Sequence, residues 1–334
     1  MSSQNHNPTS KLRVCVIGAT GYSGHTAVQI LRRHPAVARV DAPLSARHVD
    51  EVAADCDAVL LATPAEAAAE WAWQLVQRGQ RVIDLSGGHR LRDPAEHQRV
   101  YGFAHPQPQV LQQAVFGFAA SDADLAAARL VANPGCYAGG MLSALAPLLA
   151  AGWLDSTGPA GRARVSVTGL SGISGAGRKA TERSLYVEVA ENLMPYKPLR
   201  AHQHVAEVEQ ALAVHVAFTP VVVPLRQGML ISGTADLRPG LQLADQDLAG
   251  LQLAGDPHWQ LTTQVPDVQG VLATPLVQVW YGLDPAGQRI SFVAALDNLW
   301  RGAASSAVAN LNAMFGLPRD TGLTDYAPSR VLHP

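Results

Sequence analysis

Over the first 135 residues, short unbroken apolar runs alternate with stretches whose apolar positions recur at helical spacing. The runs at 12–17, 37–40, 57–62, 81–85 and 130–132 suit strands buried on both faces of a parallel sheet. Between them, Ala27, Val28, Ile30 and Leu31 mark one helical face over 26–33, which His34-Pro35 stops, and an Ala-rich helix is predicted over 64–78. Strand and helix taking turns in this way predict a doubly wound parallel sheet of the Rossmann type.

The pattern changes after about Pro147. Runs at 164–170, 218–223, 229–237, 276–281 and 290–296 read as strands of an antiparallel or mixed sheet, with helices over 201–214 and 301–315. The polar first ten residues read as a tail rather than a signal peptide. The fold class expected is thus α/β, a nucleotide-binding domain followed by an α+β domain.

Composition narrows the function classes. The chain has 334 residues, enough for two domains, and 25 Lys+Arg against 27 Asp+Glu give a net charge of −2. Without a basic excess there is no footprint for nucleic acid or an anionic membrane. No apolar run is long enough for a transmembrane helix. The cysteines Cys15, Cys56 and Cys136 lie far apart with no metal-ligand spacing, so neither a disulfide framework nor a metal is expected. Cys15 and Cys56 read as small buried hydrophobes. A soluble, globular, intracellular protein is expected.

The first candidate chemistry is GATGYSG, with Gly18, Gly21 and Gly24 between the first strand and first helix. Small residues let the backbone approach a pyrophosphate, and the helix start supplies N–H donors. The expected dinucleotide contacts are Gly18, Thr20, Gly21, Tyr22, Ser23 and Gly24, with Thr63, Pro64 and Ser86 beyond the third and fourth strands. Asp41 stands where an NAD enzyme holds the ribose 2′-OH. If the second strand continues through Leu44, Ser45 and Arg47 take that place instead, and an arginine there suits the 2′-phosphate of NADP.

The sharper motif is Asn133-Pro134-Gly135-Cys136-Tyr137. A cysteine after Pro-Gly at a strand-to-helix transition sits at a helix N-terminus, where its thiolate is stabilised and can attack an acyl group. Its base is sought in His202-Gln203-His204, at the start of a predicted helix. Glu207, three residues beyond His204, can orient that ring. Residues two apart on a helix point about 200° apart, so one histidine only is expected to face Cys136. Spacing alone does not choose between them. The loop 171–180 is glycine-rich and ends in Arg178-Lys179, a combination that can hold an anion. Asp297-Asn298 reads as a helix N-cap.

In order, GATGYSG, VIDLSGGHRL, YGFAHP, NPGCY, SGISGAGRKA, HQHVAE, VVVPLRQGM and DNLWRGAA resemble the N-acetyl-gamma-glutamyl-phosphate reductase family of the aspartate-semialdehyde dehydrogenase superfamily. The resemblance implies a Rossmann domain of residues 11–135 completed by 298–334, with a catalytic and dimerisation domain, 136–297, inserted between. It implies Cys136 as nucleophile, His204 as acid/base, Asn298 near the nicotinamide amide, and Ser174, Gly175, Ala176 and Gly177 near the cofactor. Arg178 and Arg226 are implied for the substrate's carboxylate or phosphate, and Asn133 and His202 join them as expected substrate contacts. The activity implied is NADPH-dependent reduction of an acyl phosphate to a semialdehyde through a cysteine thioester, in arginine biosynthesis, by a cytoplasmic homo-oligomer (dimer or tetramer). Related chemistries on aspartyl or lysine-pathway substrates, and a non-catalytic NADP-binding regulator, stay open as alternatives. The chain departs from the family at Gln203 and Ala206 of H-R-H-x-P-E, at Gly88-His89-Arg90-Leu91 for D-F-R-L, and at Arg301, Ser305 and Ser306 of K-G-A-A-G-Q.

Overall fold

The computed structural model describes residues 11–44, 49–52, 54–118, 120–179 and 181–326. Its first half runs β1 (Leu12–Ile17), α1 (Tyr22–Arg33), β2 (Val37–Asp41), β3 (Ala58–Leu61), α2 (Ala65–Gln77), β4 (Arg81–Asp84), α3 (Pro94–Tyr101), α4 (Pro108–Leu111), β5 (Val115–Phe116), α5 (Asp122–Ala127), β6 (Leu130–Ala132) and α6 (Cys136–Ala150). All six strands pair in parallel, in the order β2-β1-β3-β4-β6-β5. The period-2 rule divides each strand between two cores. Leu12, Val14 and Val16 of β1 pack on the α1 face, whereas Cys15 and Ile17 pack on the α2 face.

The second half contains β7 (Arg164–Gly172), α7 (Tyr186–Val189), β8 (Met194–Pro195), α8 (Gln203–Leu212), β9 (His215–Val223), β10 (Met229–Asp236), α9 (Asp245–Leu248), β11 (Trp259–Leu261), β12 (Val277–Leu283), β13 (Arg289–Leu296) and α10 (Ser305–Met314). Its strands form a mixed sheet in the order β11-β12-β13-β10-β7-β9-β8. On β7, exposed Arg164, Ser166 and Thr168 alternate with buried Val165, Val167 and Gly169, the signature of a sheet covered on one face. The covered face packs on α6 and α8.

Helix α10 returns to the first sheet. Its Ala307, Val308 and Leu311 share a core with Leu12, Val14 and Ile30.

Three local differences from the sequence reading have identifiable causes. Helix α1 begins at Tyr22 rather than at residue 26, because Gly21 is already its extended N-cap and Tyr22, Ser23 and Gly24 form the first turn. Helix α3 was not expected, since His97 is its one buried residue and it shows no apolar stripe. Capping defines it instead: Asp93 accepts from the Ala95 N–H, Pro94 opens the helix, and left-handed Gly102 closes it. The last helix starts as a wide π-turn, Trp300–Ala304, before becoming α10.

Candidate active site

The glycine loop after β1 is built by close approach. Gly18 has φ +85, and a Cβ there would collide with the Ala62 carbonyl; one on Gly24 would collide with Gly18 itself. The loop can therefore press onto the end of β3, the close backbone approach expected beside a pyrophosphate. Across from it, the loop after β7 reaches over, and the Arg178 guanidinium donates to the Thr20 carbonyl at 2.8 Å. Between them lies a cavity of about 930 Å³ whose walls include Tyr22, Ser174, Gly177, Arg178, Arg226 and Leu299. Asn298 lies just behind this wall: its Oδ1 accepts the Gly228 N–H at 2.8 Å and its Nδ2 donates to Ser174 Oγ at 3.0 Å. Gly175 and Ala176 belong to the same tight turn as Ser174.

The other expected cofactor contacts are spread around the strand ends. Thr63 has a buried hydroxyl with no protein partner, and Pro64 caps α2. Ser86 N–H bonds Asp84, and its hydroxyl accepts the Gly88 N–H. Ser45 and Arg47 lie outside the described residues. Asp41 is described, and its carboxylate accepts from Arg39 at 3.0 Å and from the Cys56 thiol at 3.4 Å.

Cys136 is the first residue of α6, after an extended Gly135 N-cap, and it is half-buried. His204 packs flat against Gly135, so closely that a Cβ on that glycine would collide with Nε2. Gly302 packs against the cysteine, a Cβ there falling 2.7 Å from Cys136 Cβ. The turn before the cysteine is held by Glu207, which is fully buried. Its Oε2 accepts the Gly135 N–H at 2.9 Å, and its Oε1 accepts from Arg90 and from Tyr101, each at 3.0 Å. Arg90 also donates to the Asn133 and Leu85 carbonyls. A buried carboxylate with three donors and a paired guanidinium is a satisfied network, and removing any one member strands the rest.

Four expectations are corrected here. His202 and His204 do not point apart. His202 is the non-helical N-cap of α8, its Nδ1 accepting the His204 N–H at 3.2 Å, so the rings meet edge to face with centroids 4.6 Å apart. Glu207 does lie 3.8 Å from His204 Nε2, but its hydrogen bonds go to Arg90, Tyr101 and Gly135. The helix start also does not leave Cys136 acidic. Burial pushes its thiol up to about 11, outweighing the Tyr137 N–H and Arg90, which favour the thiolate. Asn133 is not brought to the cavity: its amide is buried between Asn310 and the Ala303 carbonyl.

Burial likewise pushes His202 down to about 2, with His204 adding to the effect, and holds His204 itself well below the usual range. At neutral pH the site therefore rests as a thiol beside neutral imidazoles, able to pass a proton rather than storing an ion pair. One consequence is measurable. Because a raised thiol pKa lowers the thiolate fraction, alkylation of Cys136 at pH 7 should be about a hundredfold slower than for an ordinary cysteine. It should rise about tenfold per pH unit between pH 7 and 10. A plateau below pH 8, read by peptide mass spectrometry after iodoacetamide, would show a stabilised thiolate instead.

Sequence reasoning gave no role to Arg90, Tyr101, Tyr196 or Gly302. Tyr196 shares a hydrogen bond with the Tyr137 phenol and lies 3.4 Å from His202 Nε2. Among the described residues there is no His, Cys, Asp or Glu cluster fit for a metal, and no helix long and apolar enough to cross a membrane.

Comparison with known proteins places this geometry in context. The family described as semialdehyde dehydrogenase, dimerisation domain, matches residues 136–298, and that described as semialdehyde dehydrogenase, NAD binding domain, matches residues 38–119. An N-acetyl-gamma-glutamyl-phosphate reductase of Alteromonas mediterranea is 36% identical, over 93% of this chain and 98% of its own. One of Thermus thermophilus is 34% identical, over 92% and 97%. Among solved structures, aspartate semialdehyde dehydrogenase II of Vibrio cholerae, complexed with ASA, aligns with a TM-score of 0.70 at 19% identity, covering 92% of this chain and 98% of its own. The Candida albicans aspartate semialdehyde dehydrogenase with NADP aligns with a TM-score of 0.64 at 14% identity, over 91% and 99%. These structures share the fold.

Proposed function

The chain belongs to the N-acetyl-gamma-glutamyl-phosphate reductase family, and from that membership we propose that it reduces N-acetyl-L-glutamyl 5-phosphate to N-acetyl-L-glutamate 5-semialdehyde with NADPH, in arginine biosynthesis. The observation that carries the reading is Cys136 at the first turn of α6, with a neutral imidazole packed on the residue before it. His204 takes the thiol proton as Cys136 Sγ attacks the acyl carbon. The carbon–sulfur bond forms, the carbon–oxygen bond to phosphate breaks, and phosphate leaves, one proton being drawn from solvent overall. NADPH, when bound, supplies the hydride that reduces the thioester carbonyl. The carbon–sulfur bond then breaks, the aldehyde departs, and His204 returns its proton to the sulfur. The glycine loop and the cavity beside it suit the dinucleotide. Arg178 and Arg226, on the wall of that cavity, are the proposed holders of the substrate's anionic groups.

NADP is favoured over NAD because Asp41, the acid that would hold a ribose 2′-OH, is already engaged by Arg39. Arg47 is the proposed 2′-phosphate contact. Arg47→Ala should weaken NADP by tenfold or more, on the order of one charge-assisted hydrogen bond, and NAD by about twofold at most. Equal weakening would return Asp41 to the ribose. We assign the protein to the cytoplasm as a homo-oligomer. The row Thr168, Ser232, Val293 and Trp280 lies across four strands on the part-exposed face of the second sheet, a face open to a second copy. The direct test of activity is phosphate-dependent oxidation of N-acetylglutamate semialdehyde, with NADP and NAD compared. Aspartate semialdehyde as the better substrate would overturn the assignment.

A further inference from the structure

The turn packed against Cys136 is a π-turn, and π-turns are rare because their hydrogen bonds skip an extra residue. Here Gly302 N–H bonds the Asp297 carbonyl at 2.8 Å, and Ala304 N–H bonds that of Leu299 at 2.9 Å. The wide register brings the Gly302 backbone against Cys136 Cβ, where a residue with its own Cβ has no room. Relaxing the turn to α register would rotate Gly302 by about 100° away from the cysteine.

Two carboxylates hold the turn. At its start, Asp297 is fully buried, its Oδ1 accepting the Leu299 and Trp300 N–H groups at 2.9 and 3.0 Å. Its Oδ2 accepts the Ala273 N–H at 2.7 Å and also bonds the Gln227 amide. In the middle of the turn, Arg301 forms a two-pronged pair with Asp256, on the loop before β11, and both side chains are mostly buried. Asp256 is itself fixed, its Oδ1 also accepting the His258 N–H at 3.1 Å. The charged groups acting on Cys136 are chiefly Arg90 and Glu207, with Tyr137, Tyr196 and His204 packed nearby. Arg301 faces Asp256 instead, so its influence on the cysteine runs through the backbone of the turn.

We infer that Arg301 and Asp256 are positioning residues, an ion pair that locks the π-turn and thereby keeps Gly302 against the nucleophile. The inference rests on the reductase reading for its kinetic consequence, though not for its structural one. Without the guanidinium, Asp256 is left as a buried unpaired carboxylate and the turn loses its outer anchor. Misplacement of about 1 Å at a nucleophile is enough to cost on the order of a hundredfold in rate.

The test compares Arg301→Ala, Arg301→Lys and Asp256→Asn for kcat, KM, thermal midpoint, and iodoacetamide alkylation of Cys136 at pH 9, mapped by peptide mass spectrometry. Arg301→Ala should lower kcat by tenfold or more, on the order expected for such misplacement, while the KM for NADPH moves about threefold at most. Its Cys136 should react several-fold faster, because the Gly302 backbone no longer packs against it. Arg301→Lys, which keeps one charged bond to Asp256, should recover most of the lost kcat and slow the alkylation again. Asp256→Asn should fall between, and it carries the test if Arg301→Ala does not fold. A lower thermal midpoint with kcat and alkylation unchanged would reduce the pair to a stabilising role and overturn the inference, as would a lysine variant no better than alanine. A wild-type protein without reductase activity would sink the proposed function, whereas the alkylation comparison would still decide the positioning role.

Discussion

Cys136→Ala is expected to leave less than about 10⁻⁴ of the wild-type turnover while NADP affinity stays within a few-fold. The two halves of that expectation come from different parts of the fold. Cys136, the proposed nucleophile, belongs to the first turn of α6, and removing its sulfur would close the proposed covalent route. The glycine loop, the Arg178 bridge and the turn at Ser174 are built from other elements, so the cavity they enclose is untouched. Steady-state rates and an equilibrium titration with NADP check both halves. Retention of a tenth of the activity would contradict the role of Cys136, and a large loss of NADP affinity would mean that the cysteine supports the cofactor site.

The second large effect concerns the proton. His204→Asn should lower kcat by roughly 10² to 10⁴, the range for loss of a general acid–base group. His202→Asn should cost less, and the structure supplies the reason. His202 serves α8 as its N-cap, and asparagine is among the best N-cap residues, able to accept the same N–H. Because burial keeps His204 neutral, the wild-type rate should hold steady through neutral pH and fall only when acid protonates the imidazole, well below pH 6.5. That acid limb should vanish in His204→Asn and persist in His202→Asn. The reverse outcome would exchange their roles.

The fold was legible because its signals are local. Apolar runs and a glycine loop at Gly18 are written within a few residues, and β1 and β6 have the bounds their runs predict. At the candidate site, the helix-start position of Cys136 and the histidine pair opening α8 were legible. Glu207 looks like a partner for His204 at helical spacing, yet its bonds go to Arg90, Tyr101 and Gly135, which are 117, 106 and 72 residues away. No periodicity reports such a contact. The protonation state of Cys136 was out of reach for a related reason: a helix N-terminus is visible in sequence, whereas the burial that outweighs it depends on segments the fold brings together. The departure of His89 from the family's phenylalanine also makes sense only in three dimensions, since its Nδ1 pairs with buried Asp84 at 2.7 Å.

The central claim, a thioester on Cys136, is tested most directly without NADPH. Mixing the enzyme with N-acetyl-glutamyl phosphate should release about one phosphate per active site in a burst and leave the acyl group on the peptide bearing Cys136, removable by hydroxylamine. No burst, and an unmodified Cys136 peptide in an enzyme that turns over once NADPH is added, would contradict the covalent route.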